Sequence, residues 1–255
     1  MTGTVIGQAI PIALIPILTR MFSPTDFGLL ALYSAVISIL GVVATGRYEI
    51  AIMLPEKDED ARALLQASVL IAMSISTVIS IPIFIWNAEL ATLLGNEEIA
   101  PWLYLVPISV LLKGIYQALT YWNNRHKRFR HTAVSRVSQS GWQGVTQISL
   151  GYFKVFGGLI IGQVIGLFSS VIYLLGRENN HQRIFKNVSA IDIKIQVKKY
   201  DKLPKYSVLG GLCDSGATQM PILMLTQFYT STVTGLFSLT FRILNVPTSI
   251  IPHRL

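Results

Sequence analysis

The feature that most constrains this chain is the alternation of long, uncharged apolar runs with short charged segments. Only 13% of the residues are charged, against roughly 25% in an average soluble protein, and 51% are hydrophobic. A soluble domain of this length would need a solvated shell rich in charged side chains. The sequence therefore predicts an integral membrane protein and excludes a single soluble globule.

Eight of the apolar runs are long enough to cross a bilayer, which takes about 20 mainly apolar residues per helix. The predicted spans are residues 2–19, 27–46, 63–86, 99–119, 137–153, 155–176, 207–229 and 233–253. The fifth contains Ser138, Gln139, Ser140, Gln143 and Gln147, so we expect it to face the bundle or to be re-entrant. The predicted fold is all-α with about eight transmembrane helices.

The distribution of basic residues predicts the orientation. The second, fourth and sixth loops, at 47–62, 120–136 and 177–206, contain 16 Lys and Arg residues, whereas the odd loops contain two. Excess Lys and Arg marks cytoplasmic loops, so these loops and the N-terminus are predicted to be cytoplasmic. The first span lacks a basic leader and a cleavage pattern, which argues against a cleaved signal peptide. The net charge of +8 is thereby attributed to topology, and no nucleic-acid partner is predicted.

Ionisable residues inside predicted spans are candidate functional residues, because burying them in a membrane is costly. Lys113 lies in the fourth span, Arg242 in the eighth, and Asp214 about seven residues into the seventh. Two cations against one anion favour an anionic substrate such as pyrophosphate, which Lys and Arg bind by charge and hydrogen bonds. We predict Lys113 and Arg242 as substrate-binding residues and Asp214 as an ion-coupling residue, or alternatively an Asp214–Arg242 structural ion pair. Arg47 joins the predicted substrate-binding set, although it lies at a helix end, where snorkelling is cheap.

Other chemistries find no support in the sequence. The single cysteine, Cys213, is expected to be a packing residue, and the four histidines lack metal-ligand spacing. There is no phosphate-cradling glycine loop, nucleophile elbow or catalytic carboxylate pair. The basic segment 125–131 is interpreted as a topology anchor that touches lipid headgroups. The sequence thus predicts no catalytic residue, metal or cofactor.

Two glycine patterns bear on the arrangement of the helices. Gly158, Gly162 and Gly166 form a small-residue ridge in the sixth span, which we expect to pack inside the chain rather than in a dimer. Residues 22–35 can also be aligned with residues 229–242, so that Gly28 meets Gly235, Leu29 meets Leu236 and Leu32 meets Leu239. Spans seven and eight would then repeat spans one and two in the same orientation, which is a parallel repeat.

Several stretches resemble one family of transporters. They are Gly3-Thr4 with 7–11, the helix end 16–20, the turn 22–28, the segment 47–51 with Leu54-Pro55, and 235–239 with 242–244. Together they resemble the polysaccharide biosynthesis branch of the multidrug/oligosaccharidyl-lipid/polysaccharide exporter superfamily, which includes the O-antigen flippases. The resemblance is strongest over residues 3–86 and 205–249.

This resemblance implies two six-helix lobes around a central cavity. It also implies export of polyprenyl-pyrophosphate-linked oligosaccharide from the cytoplasmic to the periplasmic leaflet of the bacterial inner membrane. Residues 1–176 would form the N-terminal lobe, 177–206 a basic cytoplasmic linker, and 207–255 the start of a second lobe. Because a two-lobe protein would be considerably longer, we expect a truncated form or a fragment. The expected partners are the anionic lipid-linked oligosaccharide, membrane lipids and other membrane proteins of polysaccharide assembly.

Two alternatives stay open. A cation-coupled small-molecule antiporter of the same broad fold should hold a buried carboxylate in its first lobe, and the first span has none. A membrane enzyme acting on polyprenyl lipids should cluster acidic residues at one membrane face to hold a metal ion. The one acidic cluster in the sequence that could serve this purpose consists of Glu56, Asp58, Glu59 and Asp60. It lies among basic residues and is typical of a solvated turn.

Overall fold

The fold is all-helical over residues 2–177 and 189–250, which are the residues that the computed structural model describes. No strand occurs within these ranges. The helices are α1 Thr2–Met21, α2 Pro24–Val43, α3 Tyr48–Ala51, α4 Asp58–Ile85, α5 Asn87–Leu93, α6 Ala100–Leu103, α7 Val106–Arg125, α8 Phe129–Tyr152, α9 Gly158–Gly176, α10 Ala190–Lys199, α11 Lys202–Phe228 and α12 Ser231–Ile250, with a single 3-10 turn at Glu97–Ile99.

The prediction of an all-α protein is confirmed over the described residues, and each predicted span falls on a helix or helix pair there. Three of these helices, α2, α4 and α9, are long and apolar enough to cross a membrane. A fourth crossing is formed if Glu97–Leu103 and Val106–Arg125, bent by 56°, are one broken span. Pro107 lies in the first turn of α7, where a proline fits a helix start but prevents a straight continuation of the preceding helix.

The full count of eight crossings is not confirmed. Helices α1 and α12 are each 20 residues long, and their fully described parts include the shorter apolar segments Ala9–Met21 and Ser231–Leu244. In α8 and α11 the polar side chains that the sequence places inside the helices lower the hydropathy. Residues 251–253 of the eighth predicted span and residues 178–188 of the predicted linker lie outside the described residues.

The core is built around α2, whose start is set by a capping box. Ser23 accepts a hydrogen bond from the Asp26 backbone N–H, and the Asp26 carboxylate accepts one from the Ser23 N–H at 2.9 Å. The two bonds satisfy backbone donors that would otherwise be unpaired at the helix start. Leu32 and Tyr33 of α2 are fully buried, and the Tyr33 hydroxyl lies 2.8 Å from Ser109 Oγ of α7. The helix is thereby fixed at the centre of the bundle.

The glycine ridge of α9 packs against α8, as predicted. A Cβ atom at Gly166 would lie 2.8 Å from the Gln139 carbonyl oxygen, and one at Gly162 would overlap the Gln147 side chain. The neighbouring face of α8 packs against α1, where Ser140 Oγ donates to the Gly7 carbonyl at 2.6 Å. The polar fifth span is therefore a continuous helix facing the bundle.

The two segments of the predicted repeat meet each other at the crossing of α2 and α12. A Cβ at Gly28 would overlap the Ser231 carbonyl, and a Cβ at Gly235 would overlap the Pro24 carbonyl. In the repeat alignment Ser231 corresponds to Pro24, so the contact is reciprocal. Reciprocal contacts of this kind are typical of a two-fold axis. The division into lobes stays a prediction.

Candidate binding cavity

Five helices, α2, α7, α8, α9 and α12, surround a cavity of about 330 Å³. Its volume is at the lower end of the range for small-molecule sites. The lining residues are Ser34, Ile37, Ser38, Lys113, Tyr116, Gln117, Gln139, Gln143, Gln163, Leu167 and Arg242. Two features of this lining are informative, namely its charge and its content of uncharged polar groups.

The charge of the lining is positive. Lys113 of α7 and Arg242 of α12 both line the cavity, and no acidic side chain does so among the described residues. Lys113 is half-buried and passes over Gly41, where a Cβ would lie 2.7 Å from Lys113 Cδ. Among the described residues, its Nζ has a single long contact of 3.4 Å with the Ile37 carbonyl. The structure thus brings two of the predicted substrate-binding residues to one cavity.

Seven of the lining residues are uncharged but polar. Ser34 Oγ donates to Gln163 Oε1 at 3.0 Å, which links α2 to α9 across the cavity wall. The Tyr116 hydroxyl and Gln117 Oε1 are buried without a hydrogen-bond partner in the described part of the chain. A buried polar atom without a partner costs about 1 to 3 kcal/mol. These atoms are therefore suited to bind water or a ligand.

The other two predicted site residues lie outside this cavity. Arg47 begins α3 with a left-handed backbone, φ +62°, and its guanidinium packs against Gly211 of α11. Asp214 lies one turn further along α11 and is exposed. No ion pair between Asp214 and Arg242 is present among the described residues, and the roles of Arg47 and Asp214 stay predictions. Cys213 is exposed as well, so its assignment as a packing residue was wrong, because neighbouring helices cover α11 only in part.

The uncharged polar residues of the lining, which form the polar wall of the cavity, were not assigned to a site from the sequence. The signal was present, because Gln139 and Gln143 are four residues apart and therefore share a helix face. The polarity of that span predicts a helix that faces the bundle or is re-entrant, but by itself it does not predict a binding site. Gln163, Tyr116 and Gln117 gave no sequence signal, because only the packing of α7 and α9 against α2 brings them to the cavity.

A second polar cluster lies at the predicted cytoplasmic ends of the helices. Arg125, at the end of α7, donates to Asp58 Oδ1 at 3.0 Å and to the carbonyls of Ile52, Pro55 and Glu56 at 3.2, 2.7 and 3.2 Å. His126 Nε2 lies 3.5 Å from Asp58 Oδ2. Arg125 thus holds the connection between α3 and α4 rather than only anchoring the chain at the headgroups.

A buried carboxylate lies in the same region. Glu49 of α3 is 2% exposed and accepts a hydrogen bond from the Thr45 hydroxyl. Burial raises the pKa of the Glu49 carboxyl above its ordinary value, while the bond from Thr45 and the charge of Arg47 act in the opposite direction. No group of three or more potential metal ligands occurs in the described ranges.

The comparison with known families gives the context for this geometry. The sequence model of the family described as "Polysaccharide biosynthesis protein" matches residues 17–255. The chain belongs to this polysaccharide biosynthesis protein family. The comparisons with curated proteins and with solved structures returned no match.

Family and structure agree on the general character of this polysaccharide biosynthesis protein. Its apolar helices and its family indicate a multi-pass membrane protein, and the family places it in polysaccharide synthesis or export. Such proteins are typically transporter-like rather than enzymes.

Proposed function

We propose that this polysaccharide biosynthesis protein is a flippase that moves polyprenyl-pyrophosphate-linked oligosaccharide across the bacterial cytoplasmic membrane. In this proposal Lys113 and Arg242 bind the pyrophosphate. The single observation that carries it is the convergence of two cations on one cavity of the helix bundle, where no described residue contributes a carboxylate.

The physical argument concerns the cost of the two cations. A Lys or Arg at membrane depth costs about 2.5 to 3.5 kcal/mol on insertion scales, and within the described ranges Lys113 has only one long contact with a carbonyl oxygen. A pyrophosphate supplies the missing negative charge, and charge-assisted hydrogen bonds are stronger than neutral ones. The site therefore favours an anionic ligand over a neutral or cationic one.

The remaining parts of the proposal concern the surroundings of the cavity. The excess of basic residues in three alternate loops supports a cytoplasmic N-terminus. Arg47, which packs on Gly211 of α11, would contact the headgroup at the cytoplasmic side. Asp214, one turn further on that helix, would couple ion movement to transport. Anionic membrane lipids and other membrane proteins of polysaccharide assembly are the proposed partners.

The test measures binding of a short-chain polyprenyl pyrophosphate to the purified 255-residue chain in lipid nanodiscs. We expect Lys113→Ala and Arg242→Ala each to raise the Kd by about tenfold or more, because a lost charge-assisted bond is worth roughly 1.5 to 3 kcal/mol. Lys113→Arg keeps the charge and should bind more tightly than Lys113→Ala.

The matched control is Arg130→Ala, which removes an exposed cation at the start of α8. It should leave the Kd unchanged, which would show that the loss of affinity in the cavity variants is not a general effect of lower net charge. Wild-type affinity in both cavity variants would contradict the assignment of the pyrophosphate site.

A further inference from the structure

We infer that the uncharged polar wall of this cavity is a sugar subsite, which binds the saccharide unit attached directly to the pyrophosphate. This inference rests on the proposed function and adds the residues that select the sugar. It assigns Gln117 and Tyr116 of α7 and Gln139 and Gln143 of α8 to that subsite.

The chemistry of the wall matches a neutral sugar. A hexose or N-acetylhexosamine presents hydroxyl groups that both donate and accept hydrogen bonds. A glutamine amide offers two donors and one acceptor oxygen, and a tyrosine hydroxyl offers both functions. The lining holds four glutamines, one tyrosine and two serines beside its two cations. Such a set satisfies many hydroxyl groups without adding charge.

The neutral polar residues Tyr116 and Gln117 lie close to Lys113 on α7. Tyr116 and Gln117 follow Lys113 by three and four residues, so they lie on the same helix face, one turn or roughly 5 Å away. A sugar bonded to a pyrophosphate lies next to it at a similar distance. The Tyr116 hydroxyl and Gln117 Oε1 are buried and lack a partner among the described residues, so a sugar hydroxyl would satisfy them once these side chains turn towards the cavity.

The glutamines of α8 separate into a structural residue and two cavity residues. Gln139, Gln143 and Gln147 share one helix face, but Gln147 is 3% exposed and donates to the Leu159 carbonyl at 2.9 Å. Gln139 and Gln143 line the cavity instead. Their backbones are fixed, because Gly166 of α9 packs directly against them. Two amides are therefore presented to the cavity on a rigid support.

The size of the cavity limits how much of the substrate it can recognise. At about 330 Å³ it lies near the small end of ligand sites. It can hold the pyrophosphate with one saccharide unit, but not a long glycan. Selection would therefore act on the sugar nearest the pyrophosphate, and the distal glycan would be recognised weakly.

The experiment compares two ligands on the purified 255-residue chain in nanodiscs. One is a short-chain polyprenyl pyrophosphate, and the other is the same lipid with a single N-acetylhexosamine or hexose on the pyrophosphate. We expect the better of the two sugars to lower the Kd by about tenfold relative to the bare lipid. Gln117→Met and Gln143→Met, which keep the side-chain length, should reduce that ratio to about one. Their Kd for the bare lipid should change by a smaller factor than their Kd for the sugar-bearing lipid.

The control is Gln219→Met on α11, outside the cavity lining, which should keep the wild-type ratio. Equal affinity of the wild-type chain for bare and sugar-bearing lipids would overturn the sugar subsite and leave the pyrophosphate site intact. A wild-type ratio in both glutamine variants would overturn the assignment of these residues. Failure of the wild-type chain to bind the bare lipid would instead overturn the proposed function.

Discussion

Two groups of basic residues in this protein have different surroundings in the fold. Arg125 donates four hydrogen bonds to oxygen atoms of residues 52 to 58 at 2.7 to 3.2 Å. Lys113 has one contact, at 3.4 Å, and it shares a cavity with Arg242 but with no carboxylate among the described residues. The first group stabilises a loop, whereas the second is suited to an anionic ligand.

The difference shows how the role of a buried cation can be inferred from its partners. A cation whose donors are all used by the protein has none to offer a substrate, and its loss leaves carbonyl groups unpaired. A cation with few protein partners retains donors for a ligand. The comparison predicts that variants of the first group change stability, and that variants around the second group change binding.

The largest effect is expected for Arg125→Ala. The change removes an ion pair and three bonds to carbonyl oxygens, so we expect a loss of roughly 2 to 3 kcal/mol in the free energy of unfolding. For a chain of this size that corresponds to a melting temperature lower by about 2 to 4 °C per kcal/mol. Thermal unfolding in detergent measures it. Arg130→Ala, an exposed cation five residues away, is the control, and equal melting temperatures for the two variants would remove the distinction between the two groups.

A smaller effect, on binding alone, is expected for Gly41→Ala. The added Cβ would lie 2.7 to 3.0 Å from the end of the Lys113 side chain, which is flexible and would be displaced at low cost. We expect the Kd for the polyprenyl pyrophosphate to rise by about threefold, with a nearly unchanged melting temperature. Gly141→Ala, where nothing lies within 4 Å of the added atom, should change neither quantity. A large fall in the melting temperature of Gly41→Ala would show that Lys113 has a structural role.

The smallest effect is expected for the buried carboxylate of Glu49, which should make the stability depend on pH. The pKa of Glu49 is raised by burial, so the protonated form is favoured in the folded state. The resulting stabilisation is complete below the ordinary pKa of the carboxyl and is lost as the pH rises through the folded-state pKa. We therefore expect the titration of Glu49 to raise the melting temperature of the wild type as the pH falls from 7 towards 5.

Glu49→Gln should remove this part of the pH dependence and should be slightly more stable than wild type at pH 7. Glu59→Gln, at an exposed position in α4, is the matched control. Melting curves from pH 5 to pH 8 measure both variants. Parallel pH profiles for wild type and Glu49→Gln would mean that Glu49 does not titrate in this range.

The sequence by itself determined the class of protein, the positions of the helices and the presence of costly cations. These follow from local properties, because the length and apolarity of a run decide whether it forms a helix in a membrane environment. The glycine ridge at 158, 162 and 166 was also predictable as a packing surface, since its spacing alone defines a helix face. The family resemblance was recognisable from short stretches such as 22–28 and is supported by the match over residues 17–255.

Only the tertiary structure decided which of these residues meet. Lys113 and Arg242 are 129 positions apart in the sequence, and they share a cavity because α2 packs against both α7 and α12. The same packing brings Gln117, Gln143 and Gln163 together from three helices and leaves Asp214 exposed on α11. The hydrogen-bond partners of Arg125 likewise lie in a loop about 70 residues earlier in the sequence. Periodicity predicts the face of a helix on which a residue lies, but the neighbour of that face depends on how the helices pack.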